Sequence, residues 1–188
     1  IPNKFKKSII LIGNFDGLHS GHQKLFELAK KYKTKYQSKV GVVTFDPIPK
    51  MFFNTKIKNY RISNFNQKVI YLKKFGVDFV INKKFDKNFS KITYYKFIKD
   101  ILSKKLRSKF IFVSNNFRFG HKREGDVAQL KKYENDFGYN LINPTPLMKN
   151  KKIISSTIIR KLLEEGKLSK ANTFLKRNWE IEGKVQRG

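Results

Sequence analysis

No cysteine occurs among these 188 residues. That absence excludes disulfide staples, thiolate-held zinc and thiol nucleophiles, and it suits a reducing compartment. Histidine is nearly as scarce, with three copies. Acidic residues number 14 against 42 basic ones, so carboxylate clusters have little material to form from. No apolar run approaches the ~20 residues that cross a bilayer, and lysines break the opening segment too early for a secretion signal. The expectation is a cytoplasmic protein without a membrane partner. The first residue is Ile1 rather than methionine, so a trimmed or missing amino terminus is expected.

What is abundant is positive charge, +28 formally. Basic surfaces bind phosphate backbones by counterion release. Here 35 of the basic residues are lysine and seven arginine, scattered rather than clustered. Asn, Ile, Phe and Tyr are enriched alongside them, the mark of an A/T-rich coding bias acting on tolerant surface positions. No specific nucleic-acid partner follows, although the field favours anionic substrates. The sequence assigns no oligomeric state.

Periodicity alternates between strand and helix. Ser8–Ile12, Lys39–Phe45, Asp78–Asn82 and Lys109–Val113 are short β-branched or aromatic runs. Helical spacing fills the gaps over His22–Lys35, Asn64–Phe75, Tyr94–Lys105 and Asp126–Phe137, with Gly76 and Gly138 where C-caps belong. This grammar predicts an α/β fold, a parallel sheet flanked by helices. Ligands of such sheets bind beyond the carboxyl ends of the strands, where the unusual loops here fall. A helix from Ser155 to about Gly166 and another over Leu168–Leu175 would follow. Trp179–Val185 then alternates like an edge strand.

Four strings carry chemistry. The first is Gly13-Asn14-Phe15-Asp16-Gly17-Leu18-His19-Ser20-Gly21-His22, between a strand and a helix. Glycines let backbone approach a ligand, and the free amides at a helix start attract anions. His19 and His22 add donors that can follow charge on phosphate oxygens. The spacing is neither the dinucleotide fingerprint nor the P-loop; it reads H-x-G-H, a nucleotidyltransferase signature. Against this stand a plain tight turn with core histidines, and a zinc site with Asp16 that lacks a third neutral ligand, His121 being isolated; no metal ligands are assigned.

The second string, Thr44-Phe45-Asp46-Pro47-Ile48-Pro49, is either a stiff Pro-x-Pro bend or a loop offering Asp46 to a cationic or magnesium-bearing ligand. The third, Ser114-Asn115-Asn116-Phe117-Arg118-Phe119-Gly120, could simply pack the sheet end. Equally, Asn116 and Phe117 suit a heteroaromatic ring and Arg118 a phosphate. In the fourth, Ser155, Ser156 and Thr157 are first of all an N-cap; the functional reading puts their hydroxyls on a phosphate with Arg160 one turn along.

Together and in this order, the four strings resemble the bacterial bifunctional riboflavin kinase/FMN adenylyltransferases, or FAD synthetases, over almost the whole chain. The Phe75-Gly76-Val77-Asp78 joint recurs there too. The resemblance implies a Rossmann-like nucleotidyltransferase domain over residues 1–175. Residues 176–188 would be the truncated first strand of the kinase β-barrel, whose Pro-Thr-Ala-Asn segment does not occur here. It implies adenylyl transfer from Mg²⁺-bound ATP to FMN, with riboflavin phosphorylation left to a complete protein. By the same resemblance His19, His22 and Arg160 are catalytic. Gly13, Asn14, Phe15, Asp16 and Gly21 shape the ATP pocket, and Ser155, Ser156 and Thr157 hold phosphates. Asp46, Pro47, Pro49, Asn116, Phe117 and Arg118 face nucleotide or flavin. Ile48 departs from the family's usual histidine between the prolines, Ser114 from a glycine, and Lys176 from the glycine of a Leu-Gly-Arg string. Pantetheine-phosphate adenylyltransferases and cytidylyltransferases share H-x-G-H without the third string. A class I tRNA synthetase would need a Lys-Met-Ser-Lys-Ser-like loop that does not occur.

Overall fold

The computed structural model describes residues 1–57, 60–146, 148–149, 152–183 and 185–186. Five strands form one all-parallel sheet: β1 (Ile9–Ile12), β2 (Val40–Asp46), β3 (Phe79–Lys84), β4 (Phe110–Phe112) and β5 (Asn140–Ile142), in the order β3-β2-β1-β4-β5. The chain winds outward from β1 through β2 to β3, then returns to the other side of β1 for β4 and β5. The carboxyl ends of β1 and β4 therefore flank the point where winding reverses, the crevice in which open parallel sheets place ligands.

Alternate side chains of a strand point to opposite faces, and both faces are covered here. Ile9 and Leu11 pack with Phe26, Ala29 and Leu72, from α1 (Ser20–Tyr36) and α3 (Phe65–Lys74). Ile10 and Ile12 pack the other way, with Ile98, Leu102 and Leu130. Leu130 comes from α6 (Val127–Lys132). A third cluster joins Ile62 to Ile159 and Leu162 of α8 (Ser156–Glu164) and to Ala171 and Leu175 of α9 (Leu168–Leu175).

Most predicted elements are present, with instructive differences. The helix predicted over Tyr94–Lys105 makes a single α-turn, α5 (Tyr94–Lys96), then winds as a π-helix over Phe97–Lys105, whose end is fixed by Leu106 N donating to Ile101 O at 2.9 Å. The one predicted over Asp126–Phe137 breaks at Tyr133 into α6 and α7 (Glu134–Phe137). Asp126 caps α6 in a capping box with Gln129. Gly76 and Gly138 take the positive φ that ends helices, 80° and 64°.

Among the elements that escaped the sequence reading are β5, α2 (Pro49–Phe53), α4 (Lys87–Ser90), and a hairpin of β6 (Met148–Lys149) with β7 (Lys152–Ile153). The second string is thus more than a bend, because Pro49 is the first residue of a helix, where its missing N–H costs nothing. The peptide between Asp46 and Pro47 is cis.

The edge strand expected over Trp179–Val185 is corrected: the described residues there form no strand. A strand needs a ladder partner, and this segment bonds to α3 and its approach instead. Trp179 Nε1 donates to Ile62 O at 2.8 Å, Gln67 Nε2 to Glu180 O at 3.2 Å, Tyr71 Oη to Glu180 Oε2 at 3.1 Å and Asn64 Nδ2 to Glu182 Oε2 at 2.7 Å. Lys184 lies outside the described residues.

Candidate nucleotide site

After Ile12 the chain leaves the sheet through Gly13, whose N–H still donates to Val43 O. Phe15, Gly17 and Leu18 adopt positive φ (46°, 76° and 40°), so the loop coils back tightly before α1. At Gly17 an added Cβ would meet the Ile62 side chain at 3.0 Å on a backbone that L residues rarely adopt. His19 is the N-cap residue of α1, and its carbonyl accepts from His22 N and Gln23 N. That capping turn brings the two imidazoles face to face, with centroids 3.7 Å apart and planes 22° from parallel. The Phe15 ring meets His22 edge-on, with centroids at 5.3 Å.

Few buried side-chain atoms lack a partner among the described residues. Three of the five, Asn14 Oδ1, His19 Nδ1 and His22 Nδ1, lie in this one loop. Buried polar atoms are nearly always bonded, so such a concentration calls for a partner from outside the chain, water or ligand. Burial pushes the His19 imidazole down to about 4, helped by the Arg160 guanidinium. Burial likewise holds His22 well below the ordinary imidazole value, with His19 and Lys68 adding to the effect. Both rings are therefore neutral near pH 7. Each can offer one N–H, without the charge repulsion that two stacked imidazolium ions would suffer.

Asp16 does not open toward solvent; it is 2% exposed. Its carboxylate accepts from Ile62 N at 3.0 and 3.1 Å and from Ser63 N at 3.4 Å, and takes Arg160 Nη2 at 2.6 Å. Arg160 is further fixed by Nε donating to Tyr60 O at 2.8 Å and by stacking on the Tyr60 ring at 3.7 Å. Asp16 thus aims the arginine, and Nη1 is left as the donor these contacts do not use.

In the fourth string the hydroxyls divide their work. Ser155 Oγ caps α8 by accepting from Ile158 N, Ser156 Oγ donates to Asp16 O at 2.9 Å, and Thr157 is exposed. Gly21 closes the site: an added Cβ would sit 3.2 Å from the His19 ring and 3.3 Å from Ile154 O, so a larger residue would have to press one of them aside.

The second string joins the same network. Asp46 pairs with Arg61, beside the Ile62 amide that Asp16 holds. Ile48 is buried (2% exposed), while Pro47 and Pro49 fix the bend at the end of β2. The third string stands apart, with no side-chain hydrogen bond to the other three among the described residues. Arg118 pairs with Asp126 at 2.9 Å, and Asn116 Oδ1 accepts from Ser114 Oγ. Phe117 spends one ring face on Phe119, centroids 5.4 Å apart, so it is less free for a ligand ring than the sequence suggests. Asn116, Arg118, Arg123 and Asp126 line a cavity of about 350 Å³ beyond β4.

One residue the sequence reading missed is Lys68. A lysine in an amphipathic helix reads as solvent-facing, yet this one is 4% exposed. Its Nζ donates to Asn14 O at 2.8 Å. No sequence signal marks it: α3 buries Gln67 and Lys68 with Tyr71 and Leu72, a face that the apolar spacing of Val69, Leu72 and Phe75 does not trace.

Comparison with known proteins bears on the family of the chain. A family model described as FAD synthetase matches residues 1–158. The bifunctional riboflavin kinase/FMN adenylyltransferase of Buchnera aphidicola (subspecies Acyrthosiphon pisum) is 40% identical over 181 residues, 96% of this chain and 58% of that protein. Its counterpart in Escherichia coli K12 is 36% identical over 180 residues, with the same coverage. The FAD synthetase of Listeria monocytogenes is 30% identical across 100% of this chain and 76% of its own length. A crystal structure named as a macrolide-efflux protein from Streptococcus pneumoniae superposes with TM-score 0.82 at 28% identity, over 93% of this chain and 66% of that one. Among the described residues no helix is long and apolar enough to cross a membrane. The chain spans little more than half the length of the bifunctional relatives. By the family match along most of its length and by the loop of paired histidines after β1, this chain belongs to the FAD synthetase family.

Proposed function

We propose that the chain transfers the adenylyl group of ATP to FMN, releasing pyrophosphate and forming FAD. The observation that carries this reading is the stacked His19–His22 pair, with both Nδ1 atoms unpartnered, in the coiled loop that Arg160 reaches through Asp16. A phosphate oxygen of FMN attacks the α-phosphorus; the bond to the bridging β-oxygen breaks, and pyrophosphate leaves with the electron pair. Such a displacement asks for positioning and charge stabilisation rather than a protein nucleophile.

In this proposal His19 and His22 donate to the ATP phosphates as negative charge shifts toward the leaving group. Arg160, with Ser156 and Thr157 at the start of α8, takes the β- and γ-phosphates. Gly13, Asn14, Phe15 and Gly21 give the triphosphate close access to backbone, and Ser155 and Asp16 hold that frame. Pro47 and Pro49 border the isoalloxazine, and Asn116, Phe117 and Arg118 the nucleotide or flavin beyond β4. Among the described residues no three His, Asp or Glu side chains converge as an ion site. A divalent ion, which ATP-using enzymes generally need, would enter with the triphosphate on this proposal; Mg²⁺ is the proposed ion. Riboflavin phosphorylation belongs, on this reading, to the part of the relatives that the chain does not span. The reaction is placed in the cytoplasm, where ATP and FMN are available.

The test is direct. Purified protein is incubated with FMN, ATP and Mg²⁺, and the flavins are separated. FAD and pyrophosphate should form in equal amounts, and riboflavin in place of FMN should give no product. Failure to make FAD from FMN under any divalent ion overturns the reading.

A further inference from the structure

Lys68 enters the floor of the loop from the start of α3. Its ammonium donates to Asn14 O at 2.8 Å and lies 3.4 Å from Thr44 Oγ1, which itself donates to that same carbonyl at 3.3 Å. Two groups from two different elements thus grip one backbone oxygen, the one that follows Gly13. No carboxylate lies within ion-pair distance of this ammonium among the described residues. Burial pushes this ammonium below the ordinary lysine value; Asp16 and Asp46 oppose that from farther away, and Arg61 adds to it.

An isolated ammonium is costly to bury, and a methionine of similar length would fill the space without that cost. Holding a carbonyl does not require a charge either, since neutral donors do so throughout the core. The charge has another use available in this same loop. There the neighbouring Asn14 Oδ1 has no partner, and His22 stands within the ammonium's electrostatic reach.

We propose that Lys68 is a positioning residue of the adenylyl-transfer centre: through Asn14 it fixes the curve of residues 13–16, and from beneath that loop it supplies positive charge to the incoming triphosphate. The idea rests on the function proposed above. The same charge opposes protonation of His22, whose other neighbours are the His19 ring and the Phe15 edge, with Arg160 acting on His19. Lys68 thereby adds to what burial and the His19 ring already do to hold His22 neutral.

The test uses the whole chain and the substitution Lys68→Met, which keeps length and removes charge. Because the residue acts on loop geometry and field, kcat/KM for ATP should fall by about tenfold or more, with KM for FMN held within about twofold. In the nucleotide-free protein, the His22 ring signal followed by NMR should titrate closer to the ordinary value of 6.5 than it does with lysine in place. A lysine that only fills space predicts the opposite: unchanged His22 titration, unchanged kinetics and a more stable protein. That result overturns the proposal. Should the variant not fold, ¹⁵N NMR of the unaltered chain decides. A protected Lys68 ammonium signal that moves on adding ATP supports the role, and one indifferent to ATP overturns it. If the unaltered chain makes no FAD, the functional reading fails, while the His22 titration and the ammonium signal still judge Lys68.

Discussion

Replacing Asp16 by asparagine tests the frame on which the site hangs. The carboxylate, 2% exposed, gathers two backbone amides and one guanidinium, the last at 2.6 Å. Asparagine keeps the shape but offers one acceptor oxygen, and it turns an NH₂ toward groups that are all donors. Arg160, whose side chain is 14% exposed, then holds an uncompensated charge. Breaking a buried pair from one side costs about 3–5 kcal/mol, and each kcal/mol moves Tm by about 2–4 °C in a chain of this size, so a drop of roughly 6–20 °C is expected. Thermal melts followed by circular dichroism measure it. The double variant D16N/R160M should lose less than the two single losses added together, because the second change removes the stranded charge. An Asp16→Asn protein melting within about 2 °C of the original would refute the reasoning.

Other expectations follow from the same geometry. His22→Ala should lower adenylyl transfer by about 10²–10³-fold while the circular dichroism spectrum stays native, as expected when a preorganised donor is lost; near-normal turnover would remove His22 from the chemistry. Gly21→Ala should push the His19 ring aside and cut kcat/KM for ATP by about ten- to a hundredfold with little change in melting, read from paired kinetics and melts. His19 has a folded value of about 4 against an ordinary 6.5, so the unfolded chain binds the extra proton between those values. Stability should therefore decline as pH falls from 6.5 toward 4, by roughly 3 kcal/mol at the acid end. Urea midpoints across that window should fall less steeply in His19→Asn, with His22 supplying the slope that remains.

The parallel sheet was legible because its strands are short apolar runs and its crossover helices keep a clear 3.6-residue rhythm. β5 was not: Asn140-Leu141-Ile142 is too short to carry a pattern, and pairing with β4 defines it. The π-helix at Phe97–Lys105 was hidden because an i+5 winding leaves Phe97, Ile98 and Leu102 on much the same side as an α-helix would. At the site, the histidine pair announced itself through glycine spacing and residue type. The true employment of Asp16 could not be read, because the Arg160 that claims it lies 144 positions later. Lys68 escaped for a different reason: burial of a charge is decided by what packs above it, not by its own rhythm along a helix. The tail illustrates the converse, since Trp179–Val185 alternates like a strand while the side chains or carbonyls of Trp179, Glu180 and Glu182 are engaged elsewhere.

Ile62 links two distant parts of the molecule, for its N–H is held by Asp16 and its carbonyl by the Trp179 indole. The segment beyond Leu175 and the loop that would cradle ATP thus share one backbone anchor, and a change in the first is expected to reach the second. Clipping the polypeptide just ahead of Trp179 should leave the sheet standing yet loosen the arginine's seat. Limited proteolysis there would register as weakened nucleotide affinity rather than as collapse.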